Sequence, residues 1–155
     1  MNYITDELTT STPVQMQIKS EFPMKSNPVA AHLSECFGLN KVDVSLKPIG
    51  NGHINTTMLL KTDEHALVVQ KLNTDVFPHP EQLVENARLI EQHLTEKHQK
   101  GEYDLDIIRH VPTIKNDFLV EYDHGVWRAL EFIGGSYSED VVATISQAQT
   151  AANAF

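Results

Sequence analysis

The sequence of 155 residues lacks several features, and each absence excludes a class of structure or partner. Its one cysteine, Cys36, cannot form an internal disulfide, so a reducing, cytoplasmic location is the simplest expectation. Lysine and arginine number 12 against 21 aspartates and glutamates, and the net charge of −9 argues against nucleic acid or an anionic membrane as partner. No apolar run is long enough to span a bilayer, and the first residues have no signal-peptide pattern.

The metal-binding and nucleophilic residue types form no convincing site in the sequence. Of the eight histidines, His93 and His98 fall on one predicted helix, but their spacing puts them on different faces. No cysteine or third histidine joins them by pattern, so no metal site is predicted in this chain. Cys36 lies on the core side of a predicted helix and is interpreted as a packing residue.

The length suits one domain, and the pattern divides the chain into an unpatterned and a patterned part. Residues 1–26 are rich in Thr, Ser, Gln and charge without a sustained period, which predicts a disordered leader. A short amphipathic helix is predicted next, because Asn27-Pro28 resembles a helix start and Gly38 a helix end.

The remaining pattern predicts an α+β fold, an antiparallel sheet with helical cover. Strands are expected at residues 42–49, 55–62, 66–72, 107–108, 118–122 and 126–133, with Asp123-His124-Gly125 as a hairpin turn. A long helix is expected from Pro80 to about Gln99, and a capping box at Thr144–Gln147 predicts a final helix. The apolar stripe predicted for the long helix consists of Leu83, Ala87, Ile90 and Leu94.

The connection between the first two predicted strands is the most distinctive stretch of the chain. It reads Ile49-Gly50-Asn51-Gly52-His53-Ile54-Asn55, and its two glycines exceed what a tight turn needs. A plain hairpin turn is one interpretation. The other is a flexible loop whose backbone N–H groups approach phosphates, beside a strand that carries Lys71.

Four segments carry a resemblance to a known family: residues 48–57 (PIGNGHINTT), 67–73 with 76–86 (LVVQKLN and its continuation), 127–136 (WRALEFIGGS) and 151–155 (AANAF). Together they resemble the aminoglycoside phosphotransferase/choline kinase superfamily, and most closely its N-acetylhexosamine kinase-like branch. The resemblance covers about residues 28–155. The loop departs from a full G-x-G-x-x-G pattern, since Asn55 stands at the third glycine position.

The resemblance implies a protein-kinase-like N-terminal lobe at residues 27–133. A hinge and the first helix of a truncated C-terminal lobe would then follow at 134–155. It also implies transfer of the ATP γ-phosphoryl to a hydroxyl of a sugar or amino sugar, with ATP and Mg as cofactors. The family's catalytic loop has His-x-Asp, and no histidine of this chain is followed two places later by aspartate. We therefore expect no catalytic residue or metal ligand in this chain, which should be inactive alone.

The resemblance also implies roles for particular residues, each with a plainer alternative. The loop residues Gly50, Asn51, Gly52, His53 and Asn55 would cover the ATP phosphates, and Lys71 would neutralise their charge. Glu85, or alternatively Glu81, would orient Lys71, although Lys71 and Glu85 also suit a solvated strand end and a helix surface. The hinge would bind the adenine edge through the backbone of Glu131, Phe132 and Ile133.

A second function class is a stand-alone, non-enzymatic α+β interaction module in which the glycine hairpin is only structural. In the kinase interpretation, the chain would contain only half of an active site. Its final helix and the cleft side of its sheet would then expose apolar residues, so self-association of the chain is expected.

Overall fold

The computed structural model describes residues 27–39, 43–50, 52–135 and 141–152. The predicted leader at 1–26 and Asn51 lie outside the described residues. The described part is α+β, with three helices and six strands. In chain order they are α1 (Pro28–Cys36), β1 (Ser45–Pro48), β2 (Thr56–Lys61), β3 (Ala66–Leu72), α2 (Pro80–Gln99), β4 (His110–Val111), β5 (Val120–Tyr122), β6 (Gly125–Glu131) and α3 (Ile145–Ala152).

All the strand pairs are antiparallel, as expected from the sequence. The order along the sheet is β1-β2-β3-β6-β4, and β5 pairs with β6 as the other arm of a hairpin. Thr57 of β2, Gln70 of β3 and Arg128 of β6 are in register across the three central strands. The sheet is open, and no helix in the part of the chain that the structure describes could cross a membrane.

Helix α1 packs on one face of this sheet, which we call the α1 face. The Asn27 side chain caps the helix by accepting a hydrogen bond from the Val29 N–H at 3.0 Å, which confirms the predicted helix start. Leu33 is fully buried against the sheet, and the core around it includes Leu60, Val69 and Ala129. The α1 face therefore holds the main hydrophobic core of the described residues.

Helix α2 has the predicted bounds, and the predicted apolar stripe holds at Leu83, Ala87 and Leu94, which are half-buried, but not at Ile90. Val84, in the N-terminal part of the helix, is buried although it is not in the predicted stripe, whereas Ile90 of the stripe is 59% exposed. Glu91, two turns beyond Val84, contacts His110 of β4. A polar contact thus helps to determine which side of α2 faces the sheet. A pattern of apolar residues alone does not reveal such a contact.

Two local predictions in the second half of the chain are confirmed, and one strand lies at other residues than predicted. Asp123 and His124 have φ of 50° and 53°, as the two-residue type I′ hairpin between β5 and β6 requires. The capping box before α3 forms, since the Gln147 N–H donates to Thr144 Oγ1 at 3.2 Å and the Thr144 N–H to Gln147 Oε1 at 3.0 Å. The strand predicted at residues 107–108 lies instead at His110–Val111.

Candidate functional site

The glycine loop between β1 and β2 lies open on one side and close to the sheet on the other. Gly50 has a φ of 68°, and no atom lies within 4 Å of the position that a Cβ would take. A Cβ on Gly52 would lie 3.2 Å from the Asn55 carbonyl oxygen and 3.7 Å from Thr57 Oγ1. Gly52 therefore sits beside the Thr57 side chain, and glycine there permits the close approach.

Two other predicted loop residues have different surroundings. The Asn55 side chain accepts a hydrogen bond from the Asn73 N–H at 2.9 Å, so it ties the loop to the residue that follows β3. His53 is exposed to solvent. Asn55 thus has a structural contact in addition to any role with a ligand, and it fixes the loop relative to β3.

Lys71 lies on the α1 face. Its Nζ donates to the Asp123 carbonyl oxygen at 3.3 Å and lies 5.9 Å from the ring centroid of Trp127. Trp127 is 4% exposed and belongs to the core that α1 covers. The lysine stem runs over Gly125, where a Cβ would overlap Lys71 Cε. The Lys71 side chain therefore packs across the β3–β6 strand pair, next to the β5–β6 hairpin turn.

The predicted pairing of Lys71 with a glutamate of α2 is not formed. Neighbouring residues of a strand point to opposite faces, so Gln70 lies on the face opposite Lys71. Helix α2 contacts that opposite face, which we call the α2 face, through Glu91. None of the ion pairs among the described residues includes Lys71. Glu81 and Glu85 are exposed and line a surface cavity of about 420 Å³.

A row of polar side chains crosses the α2 face, starting beside the glycine loop. Gln70 Nε2 donates to Thr57 Oγ1 at 3.1 Å. Arg128 donates to Gln70 Oε1 from Nε at 2.9 Å and from Nη2 at 2.8 Å. We call Thr57, Gln70 and Arg128 the polar row. It connects the loop at Gly52 with the arginine of β6.

The far end of the polar row continues to α2 through His110. Arg128 Nη1 lies 3.1 Å from His110 Nε2, which accepts because a guanidinium has only donors. His110 Nδ1 then donates to Glu91 Oε1, and the His110 backbone N–H lies 3.2 Å from Glu91 Oε2. The hydrogen bonds assign the neutral, Nδ1-protonated tautomer to His110. Burial lowers the pKa of Arg128, and the charge of Glu91 opposes that shift.

An apolar row lies next to the polar row on the same face. Leu59, Val68 and Leu130 are in register on β2, β3 and β6, and all three are half-buried. We call these three residues the apolar row. A cavity of about 360 Å³ between α2 and β4–β6 is lined by Leu130, Arg128 and His110, among others. The α2 face thus has apolar side chains on which the flat ring of a ligand could pack. The polar row, with its hydrogen-bond donors, lies between these side chains and the glycine loop.

The predicted hinge residues Glu131, Phe132 and Ile133 begin at the last residue of β6 and differ in their contacts and exposure. The Glu131 N–H donates to the Arg109 carbonyl oxygen at 2.9 Å, and its carboxylate lies 3.6 Å from Arg109 Nη1. Phe132 is 41% exposed, and Ile133 is half-buried. Since the Glu131 N–H already has an acceptor, adenine recognition by that donor would need a rearrangement of this pair.

Cys36 is a packing residue, as predicted. The thiol is half-buried beside the core, and its Sγ lies 3.5 Å from His32 Nε2. Burial raises the pKa of Cys36, and the charge of Glu35 raises it further. A raised pKa reduces the thiolate fraction near neutral pH, which is the opposite of what a nucleophilic cysteine needs.

Arg128 is the site residue that sequence reasoning missed. It lies in the segment that supports the resemblance, but only the register of β6 on β3 shows that it faces the glycine-loop side. No group of three or more His, Cys, Asp or Glu side chains that could hold a metal exists within the described ranges. In a comparison with known protein families, no family model matches the sequence.

Proposed function

We propose that this chain is the ATP-binding half of a small-molecule kinase that phosphorylates a hydroxyl of a sugar or amino sugar. The observation that carries the proposal is the layout of the α2 face, where the apolar row adjoins the polar row beside the glycine loop. A nucleotide presents the same order, a flat apolar base followed by anionic phosphates. The choice of a sugar-like acceptor rests on the sequence resemblance.

The residues present fit ATP in a specific orientation. The base would lie against Leu59, Val68 and Leu130, with the exposed residue Phe132 beside it. The phosphates would extend towards Gly52 and Thr57, where glycine lets the backbone approach closely. ATP would supply the phosphoryl group. The described residues would bind it, orient it and stabilise its charge, which is the main protein contribution in phosphoryl transfer.

Nothing in the described residues forms a ligand set for Mg. We derive no step through the metal, and the acceptor site and catalytic base of the proposed kinase would lie in a C-terminal lobe. The sequence contains no His-x-Asp. Nucleotide binding, rather than turnover, is therefore the property of this chain that tests the proposal.

The first test is a calorimetric titration of the pure chain with ATP and with adenosine. We expect saturable binding of both, with ATP the tighter ligand because the phosphates add contacts at the loop. Replacing Gly52 with valine should weaken ATP at least about tenfold while adenosine binds as before, because the new side chain would press on Asn55 and Thr57. The retained adenosine affinity is the control for folding. Absence of ATP binding by the unchanged chain would contradict the proposal.

One observation favours the alternative, a non-enzymatic interaction module. Leu89 and Ile90 are 60% and 59% exposed on α2, next to each other in sequence, as an interaction surface requires. That function predicts no nucleotide binding, and it predicts an association that the double substitution Leu89→Asp with Ile90→Asp abolishes. Light scattering on both proteins, together with the titration above, separates the two functions.

A further inference from the structure

We infer that Arg128, and not Lys71, is the cation that contacts the nucleotide phosphates, and that Gln70 and His110 hold its guanidinium in place. This inference rests on the proposed function. It replaces the lysine that the strand sequence suggests with an arginine three residues before Glu131 of the hinge. The contacts of the two cations and the charges around them carry the argument.

Lys71 is on the wrong side of the sheet for this task. Gly52 of the loop lies beside Thr57, and Thr57 is hydrogen-bonded to Gln70, so the loop approaches the α2 face. Lys71 is the next residue after Gln70 and points to the α1 face, where its Nζ donates to the Asp123 carbonyl oxygen. A phosphate bound under the loop would therefore be separated from the Lys71 ammonium by the sheet itself.

Arg128 lies on the α2 face, which the glycine loop approaches, and belongs to the polar row. It is in register with Gln70, and Gln70 with Thr57, so the guanidinium and the loop belong to one continuous hydrogen-bonded row. Its contacts to Gln70 and His110 use only part of the guanidinium's N–H donors. The remaining donors can bind an anion, and the planar fork of arginine matches phosphate oxygens.

The charge of Arg128 is also left without a direct counter-ion. The residue is half-buried, yet no carboxylate in the described ranges forms an ion pair with it. Glu91 contacts His110 and reaches Arg128 only through the imidazole. Charges withdrawn from water are normally paired, so a half-buried guanidinium without an ion pair, joined to the glycine loop through Gln70 and Thr57, points to an anionic ligand. Neutral partners at Gln70 and His110 fix its plane without neutralising it.

The test compares matched substitutions of the two cations in the same titration. Arg128→Met should weaken ATP about tenfold or more while adenosine binds as in the unchanged chain, because only the phosphates contact the guanidinium. Lys71→Met removes the same charge from the other face and should leave both affinities unchanged. The salt dependence of ATP binding should become shallower in Arg128→Met and stay the same in Lys71→Met.

A second variant keeps Arg128, so its result does not depend on whether the fold tolerates the loss of that side chain. Gln70→Glu is nearly isosteric, preserves the acceptor for Arg128 and gives the guanidinium a carboxylate partner. The new carboxylate competes with phosphate, so ATP should bind about tenfold more weakly while adenosine is unaffected.

The outcomes distinguish this inference from the function on which it rests. If the unchanged chain fails to bind ATP, both are overturned. If it binds ATP and Arg128→Met and Gln70→Glu bind equally well, only the role of Arg128 is overturned. Loss of ATP binding in Lys71→Met with normal adenosine binding would also overturn it, in favour of the lysine.

Discussion

Replacing Leu33 with alanine is expected to lower the free energy of unfolding by about 2–5 kcal/mol. Leu33 is 0% exposed and lies between α1 and the α1 face, where Leu60 and Val69 are also fully buried. The substitution removes the apolar contacts and leaves a cavity that a sheet cannot close by moving. Urea unfolding followed by the fluorescence of Trp127, the only tryptophan, measures the change.

The matched control is Leu89→Ala on α2. Leu89 is 60% exposed, so the same chemical change should alter the free energy of unfolding by less than about 0.5 kcal/mol. Equal effects at the two positions would mean that α1 does not pack on the sheet as described.

Replacing Glu91 with alanine is expected to cost roughly 2–4 kcal/mol of stability, the largest effect expected for a polar residue in the described part of the chain. Its carboxylate accepts from both the backbone N–H and the Nδ1–H of His110, and the His110 side chain is 3% exposed. Removing the acceptor leaves buried donors without a partner, and such donors carry their full desolvation penalty. The docking of α2 on the sheet should weaken at the same time, visible as faster amide hydrogen exchange in β4.

Glu85→Ala is the control in the same helix. Glu85 is exposed and forms none of the described ion pairs, so the substitution makes the same change in helix propensity without removing a buried contact. A near-zero effect is expected. If Glu85→Ala were as destabilising as Glu91→Ala, the contact assigned to Glu91 would not be what holds the helix.

The elements that depend on neighbours in sequence were predictable from the sequence. The cap at Asn27, the bounds of α2 and the β5–β6 hairpin follow from local chemistry: a side-chain acceptor, a first-turn proline and two residues with positive φ. The antiparallel α+β class follows from those elements and their order. The geometry of these caps and turns depends on residues that are close in sequence, so it can be predicted without knowing which distant residues they contact.

The face on which each residue lies was not predictable in the same way. Alternation places Gln70 and Lys71 on opposite faces, but it does not say which face α2 covers. The answer depends on the Glu91–His110 contact, between residues separated by the whole loop before β4. For the same reason the sequence does not show that Ile90 of the predicted stripe is exposed, or that Lys71 lies on the face opposite the one that α2 contacts. The role that we propose for Arg128 follows from the register of β6 on β3, which the sequence does not show.

The central claim is that the α2 face, with the glycine loop and Arg128, binds ATP. An amide-resolved NMR titration of the unchanged chain with ATP tests it most directly. We expect saturable shift changes at Gly50–Asn55, Val68–Gln70 and Arg128–Ile133, with little change at Leu33 and the rest of α1. Saturable changes confined to α1 and to the surroundings of Lys71 on the α1 face, or no saturable change anywhere, would contradict the claim.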